Sequence, residues 1–289
     1  MELKRFCINN FTYRRYSFDY FLQSVRRLGL HQIELSGCHP HFTQYEAKNF
    51  DIKGLAKKIK DAGIKVVAIN PEQNFLPINI ASSQNYLRNR SIEQLEFYIC
   101  NAQEFGCDKV IIYPGKGAMD HFFSETQKYA CDSIAELAEI AKKYDVTLLI
   151  QNVSKCISNL TPNRWMLKEM LKKTEVENLG LSINTSAVAA ANETLDDYFE
   201  LFGSQIQMVQ LSDSDDEDEQ MVLGEGLQDI SGHLKSMKKH HYEGVVSLEI
   251  IAEEYAYQPE KVYRKSLDVL QSFIEKSSCK CQPLFYIVR

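Results

Sequence analysis

The sequence predicts a single closed (β/α)8 barrel. Three observations predict it: eight short runs rich in β-branched residues, amphipathic segments between them, and no composition break between residues 1 and 278. Parallel strands need crossover helices, and eight strand-helix units are enough to close a barrel. The alternative is an open doubly wound sheet, against which stands the lack of a GxGxxG after the first run.

The eight runs are "RFCIN" (5–9), "QIELS" (32–36), "KVVAIN" (65–70), "KVIIYP" (109–114), "VTLLIQ" (146–151), "LGLSIN" (179–184), "IQMVQLS" (206–212) and "VVSLEI" (245–250). Between the first two, "SFDYFLQSVRRLG" sets Phe18, Phe21, Leu22, Val25 and Leu28 on one helical face. The segments "IKGLAKKIKDAG", "SIEQLEFYICNAQEFG" and "SIAELAEIAKKYD" repeat that period. Gly29, Gly63 and Gly106 stand just before the next strand, as expected where a helix closes with a left-handed residue.

Two segments fall outside the pattern. The acidic run 213–219, "DSDDEDE", lacks the glycine and terminal glutamate of a calcium loop and is expected to be a solvated loop. Residues 279–289 form an apolar tail. Its Leu284, Phe285, Tyr286, Ile287 and Val288 are expected to leave water, against a second subunit more than under the barrel, which makes a homo-oligomer the expectation.

Composition narrows the function. A net charge of −6, with scattered Lys and Arg, offers no basic field for nucleic acid. No apolar window reaches the roughly 18 residues of a membrane span, and "MELKRFCINN" has no secretory apolar core, so a cytoplasmic protein without membrane contact is expected. The 8 cysteines are read as reduced core residues, because a chain of this length does not need staples. Cys279 and Cys281 are too isolated for a zinc site.

In such a barrel the chemistry sits at the carboxyl ends of the strands. There the sequence presents Glu34, Glu72, Gln151, Asn184, Gln210 and Glu249. In order and spacing, "RRLGLHQIELSG", "AINPEQNFLPINI", "LLIQN", "LSINTS", "VQLSDSD", "LGEG" and "GVVSLEI" resemble the xylose isomerase-like TIM barrels, which include sugar and sugar-phosphate isomerases and epimerases and the endonuclease IV group. The resemblance runs from strand one through helix eight. It implies a divalent cation such as Mn, Co or Zn, held by Glu, Asp, His and Glu after strands five to eight, with the two glutamates passing the substrate proton.

At those positions this chain has Gln151, Asn184, Gln210 and Glu249. One formal negative charge stands where the family pattern has three, so no tight metal binding and no cofactor are expected. Glu249 is left as the candidate base, and Gln151 replaces the acid/base partner, since an amide does neither job near neutral pH. The resemblance also places substrate contacts at Glu34, His41, Glu72, Arg90 and Gln220, for a small sugar or polyol. His41, Glu72 and Arg90 are expected to point into one cavity. Glu34 and Arg90 have a second reading as an ion pair in the barrel wall, and His41 as a turn cap.

Two functions follow. One is a carbohydrate-pocket protein without the classical metal-dependent epimerase activity. The other is a metal-independent sugar or sugar-phosphate isomerase using Glu249 as its base. An endonuclease IV activity is set aside, because its metal-ligand set is missing.

Overall fold

The structure is a computed structural model that describes residues 2–46, 49–73 and 78–279. Eight parallel strands close in sequence order, from β1 to β8 and back to β1. They are β1 (Phe6–Asn9), β2 (Gln32–Gly37), β3 (Lys65–Pro71), β4 (Lys109–Ile112), β5 (Thr147–Gln151), β6 (Leu179–Asn184), β7 (Ile206–Leu211) and β8 (Val245–Leu248). Each lies within two residues of its predicted run.

Helices α1 (Phe18–Arg27), α2 (Ile52–Asp61), α3 (Asn85–Asn101), α4 (Phe123–Lys143) and α5 (Arg164–Thr174) follow the first five strands. Short side chains start most of them: Ser17 accepts from the Tyr20 amide, Asp51 from Gly54, and Asn163 from Trp165 and Met166. Three of the helix-to-strand turns close on Gly29, Gly63 and Gly106, with φ of 77°, 67° and 61°. After β6 the crossover is split into α6 (Thr185–Ala190) and α7 (Leu195–Phe202), the second opened by a capping box between Thr194 and Asp197. Then α8 (Ile230–Lys239) and α9 (Pro259–Cys279) complete the ring. Among the described residues no helix is long and apolar enough to cross a membrane.

Strand alternation divides the core. Phe6, Ile8, Leu148, Ile150, Val209 and Leu211 pack outward with the helices, while Cys7, Ala68, Ile111, Leu149 and Met208 form a separate cluster inside the barrel. Continuing the inward period toward the carboxyl ends reaches Asn9, Asn70, Gln151, Asn184, Gln210 and Glu249, all buried. The barrel floor is therefore mostly apolar, with Ser182 and Ser247 at the level of Met208 and Cys7, and its upper layer is polar.

Side chains just beyond the ladders tie neighbouring strand ends together. Asn10 accepts from the Ser36 amide at 2.7 Å and donates to its carbonyl at 3.1 Å. Asn152 does the same to Asn184, at 2.7 and 3.1 Å. Thr185 exchanges two hydrogen bonds with the Ser212 backbone, and Gln73 accepts from the Tyr113 amide. These contacts satisfy backbone groups where the sheet stops, and they fix the mouth.

The acidic run departs from its expectation at one end. Asp215 to Asp218 are exposed, but Asp213 is buried. Its carboxylate accepts from the amides of Ser214, Gly224 and Gln228 at 2.8 to 2.9 Å, so it folds the "LGEG" turn back against β7. A Cβ at Gly226 would lie 2.5 Å from its Oδ1. Cys7, Cys38, Cys107 and Cys131 are buried, Cys156 is exposed, and these are free thiols. The tail from Leu284 to Val288 lies outside the described residues, as does Cys281.

Candidate functional site

Two carboxyls occupy the polar layer. Glu34, fully buried on β2, receives Asn70 Nδ2 at 2.7 Å and Gln210 Nε2 at 2.9 Å, both on Oε1. Glu249, just past β8, receives Asn184 Nδ2 and Gln220 Nε2 on Oε2, the latter at 3.2 Å. Burial raises the pKa of both above the ordinary carboxylate range, opposed at Glu34 by the Ser247 hydroxyl and then the amides, and at Glu249 by its amides; for Glu249 the Glu34 charge adds to the rise.

The amides are committed in a defined sense. Asn184 turns its oxygen away from the centre to cap α6, accepting from Ala187 N at 3.1 Å, and presents its NH2 to Glu249. Gln210 likewise presents its NH2 to Glu34. Among the described residues, Gln151 Oε1, Gln210 Oε1 and Asn70 Oδ1 are buried without a hydrogen-bond partner, as is the hydroxyl of Ser182. Buried polar atoms are nearly always paired, so this concentration at inward barrel positions separates the upper layer from the rest of the core.

Above it opens a cavity of about 250 Å³. Asn9, Asn70, Tyr113, Gln220 and Glu249 form its polar floor and walls, Glu72 and Lys116 bring charge, and Phe11, Ile157 and Ile251 give apolar surface. Desolvation, with the charges of Glu249, Glu72 and Glu34, holds the Tyr113 phenol well above its usual value. Polar groups converging on a partly apolar cleft at the carboxyl face of a barrel are what a small-molecule site requires.

A family model described as xylose isomerase-like TIM barrel matches residues 22–273. The chain belongs to the xylose isomerase-like TIM barrels. Fructoselysine 3-epimerase of Shigella flexneri is 20% identical over 263 residues, covering 91% of this chain and 95% of that protein. Among solved structures, L-ribulose 3-epimerase is similar with a TM-score of 0.82 at 20% identity, over 99% of both chains. The IOLI protein, solved with a bound zinc atom, has a TM-score of 0.76 at 18% identity, over 94% of this chain and 98% of that one.

Within this xylose isomerase-like barrel, the residues expected at the site separate into three groups. Glu72, Gln220 and Glu249 line the cavity. Gln151, Asn184, Gln210 and Glu34 lie buried in the polar layer, not in the cavity lining. His41 and Arg90 do neither, which corrects the expectation that they share a cavity with Glu72. His41 is buried against the edge of Phe18; Nε2 meets the Tyr16 carbonyl at 2.8 Å and Nδ1 meets Asn10 Nδ2 at 3.3 Å. Those contacts fix an Nε2–H tautomer with both nitrogens used, and burial lowers its pKa. Arg90 is exposed on α3, off the stripe of Ser91, Ile92, Leu95, Tyr98 and Ile99 that faces the barrel. The Glu34–Arg90 ion pair is not formed either, since Glu34 is met by amides.

Sequence reasoning missed Asn9, Asn70, Tyr113 and Lys116. The first three were readable as the last inward positions of strands one, three and four. The signal for Lys116 was the turn "YPGKG", a lysine between two glycines just past a strand end. Away from the mouth, Asp196, Glu200 and His240 lie within metal-ligand reach of one another, but Lys239 already bridges the two carboxylates, 2.6 Å from Asp196 and 3.2 Å from Glu200.

Proposed function

We propose that the mouth is a carbohydrate-binding pocket in a barrel that has given up the family's metal-dependent epimerase chemistry. The observation that carries this reading is the direction of the amides: at the positions matching the family's ligands, Asn184 and Gln210 present N–H groups to Glu249 and Glu34. A divalent cation needs anionic oxygen or imidazole to offset its desolvation; an NH2 group offers no lone pair, and the unpaired Oε1 atoms of Gln151 and Gln210 are neutral and bring no charge. Glu249 is the one carboxylate among the four, and burial favours its protonated form, which lowers its value as a ligand further. The residues present do not fit the metal.

What the pocket keeps suits a polyol. Asn9, Asn70, Gln73, Tyr113, Gln220 and Glu249 supply donors and acceptors around apolar Phe11 and Ile157, the mixture that meets hydroxyls and the C–H face of a sugar. Metal content by mass spectrometry after dialysis against a trace-metal buffer, with a thermal-shift screen of sugars, tests the reading. It expects substoichiometric metal and a sugar-dependent rise in Tm. One equivalent of metal held at the mouth would overturn it.

A second reading, a metal-independent isomerase, is favoured by one observation: Glu249 and Tyr113 both line the cavity. A single carboxyl shuttles a proton between adjacent carbons on one face of a cis-enediol, and a protonated phenol donates to the developing oxyanion. Aldose–ketose interconversion in metal-free buffer, abolished by Glu249→Gln, is its test.

A further inference from the structure

Resting on the carbohydrate reading of the mouth, we propose that Lys116 selects the ligand, and that this ligand is a sugar carrying an anionic group, a carboxylate or a phosphate ester, on the end that faces the β4 loop. Among the described residues lining the cavity, Lys116 is the sole cation. It also borders the adjoining smaller space walled by Ile78, Ile80 and Ile157, so its side chain stands where the two spaces meet.

The chain invests many contacts in placing this one residue. Asn79 accepts from the Lys116 amide at 2.8 Å and donates to its carbonyl at 2.9 Å. Asn159 holds the Gly117 backbone in the same way, at 2.8 and 3.3 Å, and Ser158 Oγ donates to the Gly115 carbonyl at 2.5 Å. The turn accepts only glycine on either side. At Gly115, with φ of +81°, a Cβ would stand 2.7 Å from the Ala81 amide nitrogen, and at Gly117 a Cβ would stand 2.7 Å from Thr126 Cγ2. A backbone clamped by two asparagine amides and a serine hydroxyl is a rigid mount.

The ammonium itself is unspent. Lys109 and Lys128 are satisfied by Asp108 and Asp132, whereas Lys116 forms no ion pair among the described residues. A cation on a rigid mount at the rim of a polyol-type pocket gains most from a ligand anion, because a charge-assisted hydrogen bond is about twice as strong as a neutral one. Carboxylate and phosphate ester share the chemistry Lys116 reads, and the experiment separates them.

Isothermal titration calorimetry on the full chain compares D-fructose, D-fructuronate and D-fructose 6-phosphate, which share a carbon skeleton and differ at one end, with inorganic phosphate alone as a fourth titrant. The variants are Lys116→Met and, as a control, Lys155→Met, an exposed lysine outside the cavity lining. At least one anionic sugar is expected to bind about tenfold or more tightly than fructose. Lys116→Met should erase that preference and leave fructose binding unchanged, while Lys155→Met should keep it; the tighter of the two anionic sugars identifies the anion. Equal binding of all three sugars overturns the inference and leaves the carbohydrate reading standing. So does a preference that survives Lys116→Met or is lost equally in Lys155→Met, or phosphate alone binding as tightly as the sugar phosphate. Binding of none of the three overturns both.

Discussion

At the barrel centre, Glu34 and Glu249 are buried and met by amide N–H groups from four side chains, whereas at the β4 rim the charged group is an exposed lysine held, among the described residues, through its backbone. The centre suppresses charge: desolvation, and for Glu249 the nearby Glu34 charge, favour protonated carboxyls, and the groups around them are neutral amides. The rim keeps its charge in water and spends hydrogen bonds on where the side chain begins. Within one mouth, then, recognition by hydrogen-bond geometry and recognition by charge occupy separate elements, and substitutions at the two should differ in kind as well as size.

The largest effect should come from reversing the chemistry of the centre. The triple change Gln151→Glu, Asn184→Asp and Gln210→His places two carboxylates and an imidazole beside Glu249, and it should bind one equivalent of Mn, Co or Zn. Without metal the added buried charges lower its Tm below that of the parent chain; at a metal concentration near 1,000 Kd, binding restores about 4 kcal/mol. Metal analysis after dialysis and melts with and without metal check this, and a variant that stays metal-free would mean the backbone does not hold these positions in a ligating geometry.

A smaller effect tests whether the amides depend on their carboxyls. Glu34→Ala strands Asn70 Nδ2 and Gln210 Nε2 in the core and leaves a void, at a cost of about 2–4 kcal/mol. Glu34→Gln keeps an acceptor oxygen and should cost less than half as much. Urea unfolding of both variants gives the comparison, and equal losses would remove the hydrogen bonds from the account.

The pH dependence follows from the same layer. Glu34 and Glu249 release their protons at higher pH in the folded state than the 4.5 expected of them unfolded. Between those two values the folded chain binds more protons than the unfolded one, so the stability this pair contributes is full below about pH 4.5 and is lost as pH rises through the folded pKa. In Glu249→Gln the amide oxygen still accepts from Asn184 and Gln220, and the titrating group is gone. Melts at pH 5, 7 and 9 should therefore show a steeper alkaline loss for the parent chain than for Glu249→Gln; parallel curves would contradict the assignment.

The smallest effect belongs to the rim. Lys116→Met should change stability by no more than about 0.5 kcal/mol, because its side chain is exposed and its backbone contacts survive. Asn79→Ala, which removes the clamp, should cost about 1–2 kcal/mol by denaturant unfolding. If Lys116→Met were the more damaging of the two, the lysine would be part of the structure and not a free reader of ligand.

Much of the centre was legible from sequence because it obeys a period. Gln151, Asn184, Gln210 and Glu249 end apolar runs in which every second residue faces inward, so their common destination followed once eight units were counted. Asn9 and Asn70 obey the same rule. His41 and Arg90 do not, since they lie beyond the strands, where direction is set by the loop and by helix phase: the β2–α2 loop carries His41 back to Tyr16, and the α3 stripe leaves Arg90 on the outer face. Asp213 was hidden in an acidic run whose other members are solvated, and nothing in the local pattern told it apart.

The sequence by itself determined the number and order of the strands, the closure of the barrel, and the presence of amides at its mouth, because these depend on short-range periodicity and residue type. Tertiary structure decided which way each amide faces, which carboxyl it meets, and that a lysine outside every predicted element stands at the cavity. Those outcomes rest on contacts between segments far apart in the chain, such as Gln210 with Glu34 and Asn79 with Lys116, and they become defined only when the closed barrel brings the partners within hydrogen-bond reach.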